Sequence, residues 1–288
     1  SIVIGEIDKD DNFTDIYIDC FYEGKDRYFS GKNFSASTYK NEVSFPEIFN
    51  LISLMDWDTN FWRFPVAFLS SRHLSKNILF RVEKFIDKED IRLVQYLCNC
   101  HDKKSVALAE GNGFSFKDIR LTYEKFLIQK KDVTLDNGID FGIANESHIP
   151  YLRDISEVIY LDSRYYYDEN FDQKMVCKFY MDWVEKSVKK KYDDECFSLF
   201  CENKPIAYCS VKYETDNEAH IGLVGVSNHY TGRGLGVKLL EMVFNALLSK
   251  GVDRVIVVTQ GRNYPAQRLY QKVGFLTLYT ELWYHKWI

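Results

Sequence analysis

The sequence has no Cys-x-x-Cys pair, no run of about 18 apolar residues and only five prolines in 288 residues. Its cysteines number seven, and Cys196, Cys201 and Cys209 lie in or beside apolar, strand-like runs. Cys98 and Cys100 are close but lack the spacing of a zinc ribbon. This usage argues against a disulfide framework or a thiolate metal site and fits buried free thiols in a reducing compartment. No metal is implied. The missing apolar run excludes a membrane-spanning helix, and the mixed, acidic N-terminal stretch is unlike a secretory signal. A soluble cytoplasmic protein is the expectation. Basic excess is also absent: the net charge is −5 and the pI about 5.8. That argues against a nucleic-acid partner, although a few cations and backbone amides suffice for a small anionic ligand.

What is present is globular, with 46% hydrophobic and 27% charged residues. Aromatic residues reach 16%, enough to build cores and to line a pocket for a flat ligand. No internal repeat is evident. A polar seam, Gln129-Lys130-Lys131-Asp132 and then Asp136-Asn137-Gly138, follows an alternating strand-like run over 119–126. The expected organisation is α/β, with a mixed α+β N-terminal domain over 1–132 and a second domain over 133–288. In the first, 90–99 reads as a helix. In the second, the pattern predicts strands at 139–143, 196–201, 206–213, 219–226 and 255–258. Helices are expected at 147–160, along the Phe171/Met175/Phe179/Trp183 face, at 234–250 and at 265–273. Two short aromatic strands finish the chain.

The sharpest local feature is Thr231-Gly232-Arg233-Gly234-Leu235-Gly236, between an expected strand and an expected helix. Glycines there permit positive φ and close approach of a ligand to the main chain. A helix N-terminus adds free amides and partial positive charge, so together they can cradle a pyrophosphate. The GxxxxGK[ST] pattern of a P-loop is absent, and no acidic residue follows at the spacing of a dinucleotide fold. An acetyl-CoA loop and a plain glycine-rich turn remain.

Downstream, Thr259-Gln260-Gly261-Arg262-Asn263 leads into Pro265-Ala266-Gln267-Arg268-Leu269-Tyr270-Gln271-Lys272-Val273-Gly274-Phe275. The order strand, glycine loop, helix, strand, Asn, helix, Tyr, Gly-Phe resembles the cofactor half of the GNAT N-acetyltransferase superfamily. That resemblance implies a GNAT (acyl-CoA N-acyltransferase) fold in the C-terminal domain and acetyl-CoA as cofactor. Where the superfamily loop opens with Gln or Arg, this chain has Thr231, so the pyrophosphate contact is expected to be either weaker or shifted to Arg233. Three further segments resemble the dTDP-fucosamine acetyltransferase group. They are Leu54-Met55-Asp56-Trp57-Asp58-Thr59-Asn60-Phe61-Trp62, then Asp162-Ser163-Arg164-Tyr165 with Phe179-Tyr180-Met181-Asp182-Trp183-Val184, and Thr259-Gln260-Gly261-Arg262-Asn263 with the C-terminal Trp283-Tyr284. This implies acetyl transfer to a dTDP-linked 3-amino or 4-amino 6-deoxyhexose, a step toward O-antigen or a related surface polysaccharide. Another amine acceptor (a peptide, polyamine or antibiotic) and a degenerate CoA-binding module are the alternatives.

The resemblance also implies roles. Leu223, Val224, Gly225 and Val226 would offer backbone amides to the thioester carbonyl, and Gly225 either admits close approach or is a core glycine. Thr231, Gly232, Arg233, Gly234, Leu235 and Gly236 would hold the pyrophosphate. Tyr270 would protonate the leaving thiolate, or else pack in the core. Asn263 would meet the pantetheine arm or Tyr270, or cap a helix. Glu218 or His220 would serve as base, unless water takes the proton. Arg164 would fork onto the diphosphate. Tyr165, Tyr166, Tyr167, Trp57 and Trp62 would stack on base or sugar, or pack internally. Lys189-Lys190-Lys191 reads as a solvated helix end. Aromatic end strands over 278–287 could pair across chains, so a homodimer is one assembly the sequence allows.

Overall fold

The computed structural model describes the backbone of residues 2–7, 13–22 and 25–29, and residues 51–288 in full. The chain divides after Leu51 into two compact units. In the first, β1 (Ile2–Ile7), β2 (Phe13–Tyr22) and β3 (Lys25–Phe29) form an antiparallel sheet in that order.

The second unit is built on a ten-stranded sheet. Its strands are β4 (Ile52–Leu54), β5 (Val66–Leu69), β6 (Leu93–Asn99), β7 (Ser115–Phe126), β8 (Ile139–Ile143), β9 (Glu195–Cys201), β10 (Lys204–Tyr213), β11 (Glu218–Val226), β12 (Arg254–Gln260) and β13 (Leu276–Trp287). They run in the order β4-β5-β6-β13-β7-β12-β11-β10-β9-β8. The helices are α1 (Asp56–Trp62), α2 (Lys76–Glu89), α3 (Lys103–Gly111), α4 (Ile149–Glu157), α5 (Gln173–Val188), α6 (Leu235–Ser249) and α7 (Tyr264–Lys272). Local chemistry explains the punctuation. Glu202 and Asn203 both take positive φ in the two-residue turn between β9 and β10, as hairpin turns of that length require. In α6, Leu235, Leu239, Leu240, Val243 and Leu247 recur at helical spacing and are buried. Each contributes about 1.5–3 kcal/mol by leaving water.

Three expectations need correction. Residues 93–99 form the central strand β6, not a helix: α2 ends at Glu89, Asp90 closes it with φ 49°, and six of the seven β6 residues are buried. A continuous apolar run suits a strand covered on both faces as well as a helix, and pairing with parallel β5 decides it. The C-terminal segment is one strand with two register shifts rather than two strands. Both edges of that strand are taken, by β6 and β7, so it cannot add to a second chain.

The structure also contains the repeat that the sequence hides. β6, α3 and β7 begin at 93, 103 and 115, and β12, α7 and β13 begin at 254, 264 and 276, a constant displacement of 161 residues. Side chains obey the same displacement. Leu74, Ile78, Leu79, Val82 and Ile86 are buried as Leu235, Leu239, Leu240, Val243 and Leu247 are. Asp102 and Asn263 both cap helices through their side chains, and Gly113-Phe114 and Gly274-Phe275 share a positive glycine φ. The two copies exchange their last strands: β13 lies beside β6 of the first copy, and β7 beside β12 of the second. The polar seam near 132 therefore falls within one compact unit, Ile52–Ile288.

Candidate active site

β11 pairs with β12 only from Glu218↔Arg254 to Ile221↔Val257. Past Ile221 the two parallel strands part, and β11 keeps a ladder only with β10. A register shift gives β11 one extra residue opposite Ser210, and the Ser210 hydroxyl accepts the Leu223 N–H at 2.9 Å. The Ser227 N–H donates to the Ile206 carbonyl at 2.8 Å, on the same side. Strand alternation then turns the N–H and C=O of Val224 and Val226 away from β10, into the opening. The Tyr160 hydroxyl, 3.2 Å from the Val224 carbonyl oxygen, sits on that side. A cleft of about 610 Å³ fills the opening and is lined by Gly222 to Val226, with Thr231, Asn263, Leu269 and Tyr270 on the same wall.

Below the strand end, Gly232 and Gly234 take φ of 78° and 73°, and Gly234 caps α6. A Cβ at either would meet nothing within 4 Å, so the loop backbone is open to a ligand. Gly236 serves packing instead: its Cβ would come within 3.2 Å of Leu269 on α7. The first-turn amides of α6 lack helical acceptors and favour an anion. The Arg233 guanidinium lies over the Tyr230 ring at 5.1 Å.

Tyr270 is buried with its ring beside Tyr123 and Phe275. Burial pushes its hydroxyl well above the ordinary tyrosine range, so it holds its proton at neutral pH. Asn263 caps α7, its side chain accepting the Ala266 N–H at 3.1 Å, while also lining the cleft.

The facing wall carries Trp57, Asp58, Arg120, Tyr160, Arg164, Tyr180, Trp183 and Tyr192. The Arg164 guanidinium lies between the faces of Tyr165 and Trp283, at 4.2 and 4.0 Å. One of its nitrogens donates to Gln95 Oε1 and to the Tyr165 hydroxyl, each at 2.8 Å. Tyr165 in turn donates to Asp58 Oδ1 at 3.2 Å. Burial raises the Asp58 pKa, and the Arg164 charge opposes that rise. Arg164 has no carboxylate within ion-pair distance among the described residues, and its Nε is buried without a partner.

Several expected residues stand elsewhere. Glu218 and His220 lie toward the far end of β11, about 20 and about 13 Å from Val224 by strand rise. Glu218 is ion-paired to Arg254 at 2.5 Å and bonded to His220 at 3.1 Å, outside the cleft. Neither is placed to serve as base. Trp62 packs in the core, stacked on Phe179. Tyr167 is exposed beneath the Arg262 guanidinium, and Tyr166 does not reach the cleft. Trp57 and Tyr165 line it but also pack against neighbouring rings. Sequence reasoning missed Tyr160, Tyr180, Arg120, Trp183 and Tyr192. Of the cleft residues not singled out, Asp58 lies in the quoted Trp57-Asp58 pair and Tyr180 and Trp183 in the quoted Phe179–Val184 segment, while Tyr160, Arg120 and Tyr192 carried no signal.

Residues 155–275 match the model of the acetyltransferase (GNAT) family. The chain carries a GNAT acetyltransferase domain. Acetyl-CoA is the acetyl donor of this family. Among curated proteins, the chain is 27% identical over 158 residues to a dTDP-fucosamine acetyltransferase of Escherichia coli, covering 53% of this chain and 66% of that one. It is 24% identical over 184 residues to a mycothiol acetyltransferase of Corynebacterium glutamicum, covering 58% and 60%. The matches thus span just under two thirds of these relatives' own length. Among solved structures, a GCN5-related N-acetyltransferase of Sphaerobacter thermophilus superposes with a TM-score of 0.60 at 14% identity, over 82% of this chain and 76% of that one. The splayed strand and the open glycine loop of the GNAT domain suit a pantetheine arm and a pyrophosphate. Among the described residues, no group of three or more His, Cys, Asp or Glu can hold a metal, and no helix is long and apolar enough to cross a membrane.

Proposed function

We propose that the protein transfers acetyl from acetyl-CoA to the amine of a dTDP-linked amino-6-deoxyhexose by direct attack. The observation that carries this reading is a single cleft with a donor wall and an acceptor wall of different chemistry. On the donor side, acetyl-CoA supplies the thioester. The Val224 N–H is aimed where the carbonyl oxygen gains charge, as an oxyanion donor must be. Tyr270, protonated at neutral pH, gives its proton to the departing thiolate, while the proton the nitrogen sheds on becoming an amide passes to water, from which Tyr270 is reprotonated. On the acceptor side, Arg164 keeps one edge of its fork for an oxyanion and suits a diphosphate. The rings of Trp57, Trp183 and Tyr192 suit a pyrimidine. The likeness to a dTDP-fucosamine acetyltransferase favours this acceptor. The likeness to mycothiol acetyltransferases keeps a second reading, acetylation of another amine on the same geometry.

The walls separate in a binding experiment. Calorimetry should show coenzyme A and dTDP binding independently, with Arg164→Lys weakening dTDP alone. Binding of neither ligand would remove the reading, and binding of coenzyme A without dTDP would favour the second acceptor class.

A further inference from the structure

Four oxygens in a row run from the cleft into the protein. Tyr160 Oη is 2.8 Å from Tyr208 Oη, which is 2.7 Å from Ser156 Oγ, which is 2.8 Å from the Leu152 carbonyl oxygen. Tyr160 lines the cleft and Tyr208 does not. Tyr208 and Ser156 are almost fully buried. The Tyr208 ring is seated against Gly225, and Tyr160 stacks on Tyr180 with ring centres 4.6 Å apart.

Each hydroxyl has one proton, so the directions can be assigned from the inner end. The Leu152 carbonyl can only accept, so Ser156 donates to it. Ser156 then has only lone pairs to offer, so Tyr208 donates to Ser156. The Tyr208 oxygen is left as an acceptor for Tyr160. Tyr160 thus has two acceptors, Tyr208 at 2.8 Å and the Val224 carbonyl at 3.2 Å. With its proton on the nearer Tyr208, every proton in the row points away from the cleft. Two oxygens 3.2 Å apart, Tyr160 Oη and Val224 O, then both present lone pairs beside the Val224 N–H. Burial keeps the Tyr160 and Tyr208 hydroxyls protonated at neutral pH, so the row stays neutral and directional.

We propose that Tyr160 Oη and the Val224 carbonyl form a paired acceptor for the N–H groups of the attacking amine, and that Tyr208 and Ser156 hold Tyr160 in its accepting orientation. This rests on the acetyl-transfer reading above. Two N–H bonds held in this way fix the nitrogen and leave its lone pair for the carbonyl carbon, which the Val224 N–H holds on the same strand. Orientation of this kind acts on the reacting geometry rather than on cofactor binding. Tyr160 would touch substrate; Tyr208 and Ser156 are positioning residues that act through it.

The experiment compares Tyr160→Phe, Ser156→Ala and the double variant. It reads initial rates of thiol release with acetyl-CoA and whichever dTDP-amino-6-deoxyhexose the wild type acetylates, alongside calorimetry of coenzyme A and thermal melting. Tyr160→Phe should lower acceptor kcat/KM by at least tenfold, the size of one buried hydrogen bond, with the coenzyme A Kd within twofold of wild type. Ser156→Ala frees Tyr208 to donate to Tyr160, which turns the Tyr160 proton onto Val224. It should therefore lower acceptor kcat/KM by a comparable factor, though it lies outside the cleft. The double variant should be no worse than Tyr160→Phe. Wild-type acceptor kinetics in Ser156→Ala, additive losses in the double variant, or a parallel loss of coenzyme A affinity would overturn the proposal. Absence of turnover by the wild type with every amine tested would instead remove the acetyl-transfer reading on which it stands.

Discussion

The Tyr208 ring occupies the space that a Cβ on Gly225 would need, its Cε1 carbon 2.5 Å from that position. Ile159 Cδ1 crowds the same point at 2.6 Å. The glycine is required by packing behind the strand rather than by the ligand in front. Gly225→Ala should force Tyr208 off its seat, destabilise the protein by about 1–3 kcal/mol and lower turnover. Thermal melting with initial rates checks both; an unchanged melt would show that the ring has room to move.

Tyr270→Phe separates an acid from a core side chain. If its hydroxyl protonates the leaving thiolate, the variant should keep its affinity for coenzyme A and its melting temperature while kcat falls by roughly 10²–10⁴. A purely structural tyrosine would show the reverse, a lower melting temperature with kcat retained.

The donor half was legible because its signals are local. The glycine spacing at Gly232 and Gly234, the cap at Asn263 and the Gly274-Phe275 stop each lie within a few residues of the element they define. The repeat was not legible, since its copies share a pattern more than residues: Ile78 stands for Leu239, Asp102 for Asn263 and Ala109 for Tyr270. The acceptor wall was mostly hidden for another reason. Asp58 and Trp283 stood in quoted segments, but nothing local brings them to Tyr160, since the three come from distant parts of the chain and meet only in the folded cleft. Glu218 and His220 misled because sharing a strand with Val224 does not place residues at the same end of it.

The first copy of the repeat should bind no cofactor. Its β5 pairs with β6 over four residues, as β11 does with β12, but β5 ends there at Leu69, so no strand runs on to splay open. Tyr96 donates to the Arg72 carbonyl at 3.3 Å, and the Arg72 side chain is ion-paired to Glu281 at 2.8 Å, in the loop that corresponds to the glycine loop. Titration calorimetry should give one coenzyme A per chain. Two would show that the first groove opens.

Acid stability should carry two opposing contributions. Burial depresses the His285 pKa to about 4, despite its bond to Asp168. The unfolded chain takes up that proton first, so stability from this site falls as the pH drops from about 6.5 to 4. Burial raises Asp118 to about 6 from 3.8, so its contribution falls as pH rises through that window. Melting temperature against pH should flatten in His285→Gln and steepen on the acid side in Asp118→Asn. Unchanged slopes in both would contradict these shifts.

The central claim is acetyl transfer within one two-walled cleft, and thiol release tests it most directly. Acetyl-CoA would be offered with dTDP-3-amino and dTDP-4-amino 6-deoxyhexoses, a UDP-amino sugar and a polyamine. The account predicts robust release with one of the dTDP-sugars and little with the others. Release with the polyamine alone, or with none of the four while coenzyme A still binds, would contradict the acceptor assignment.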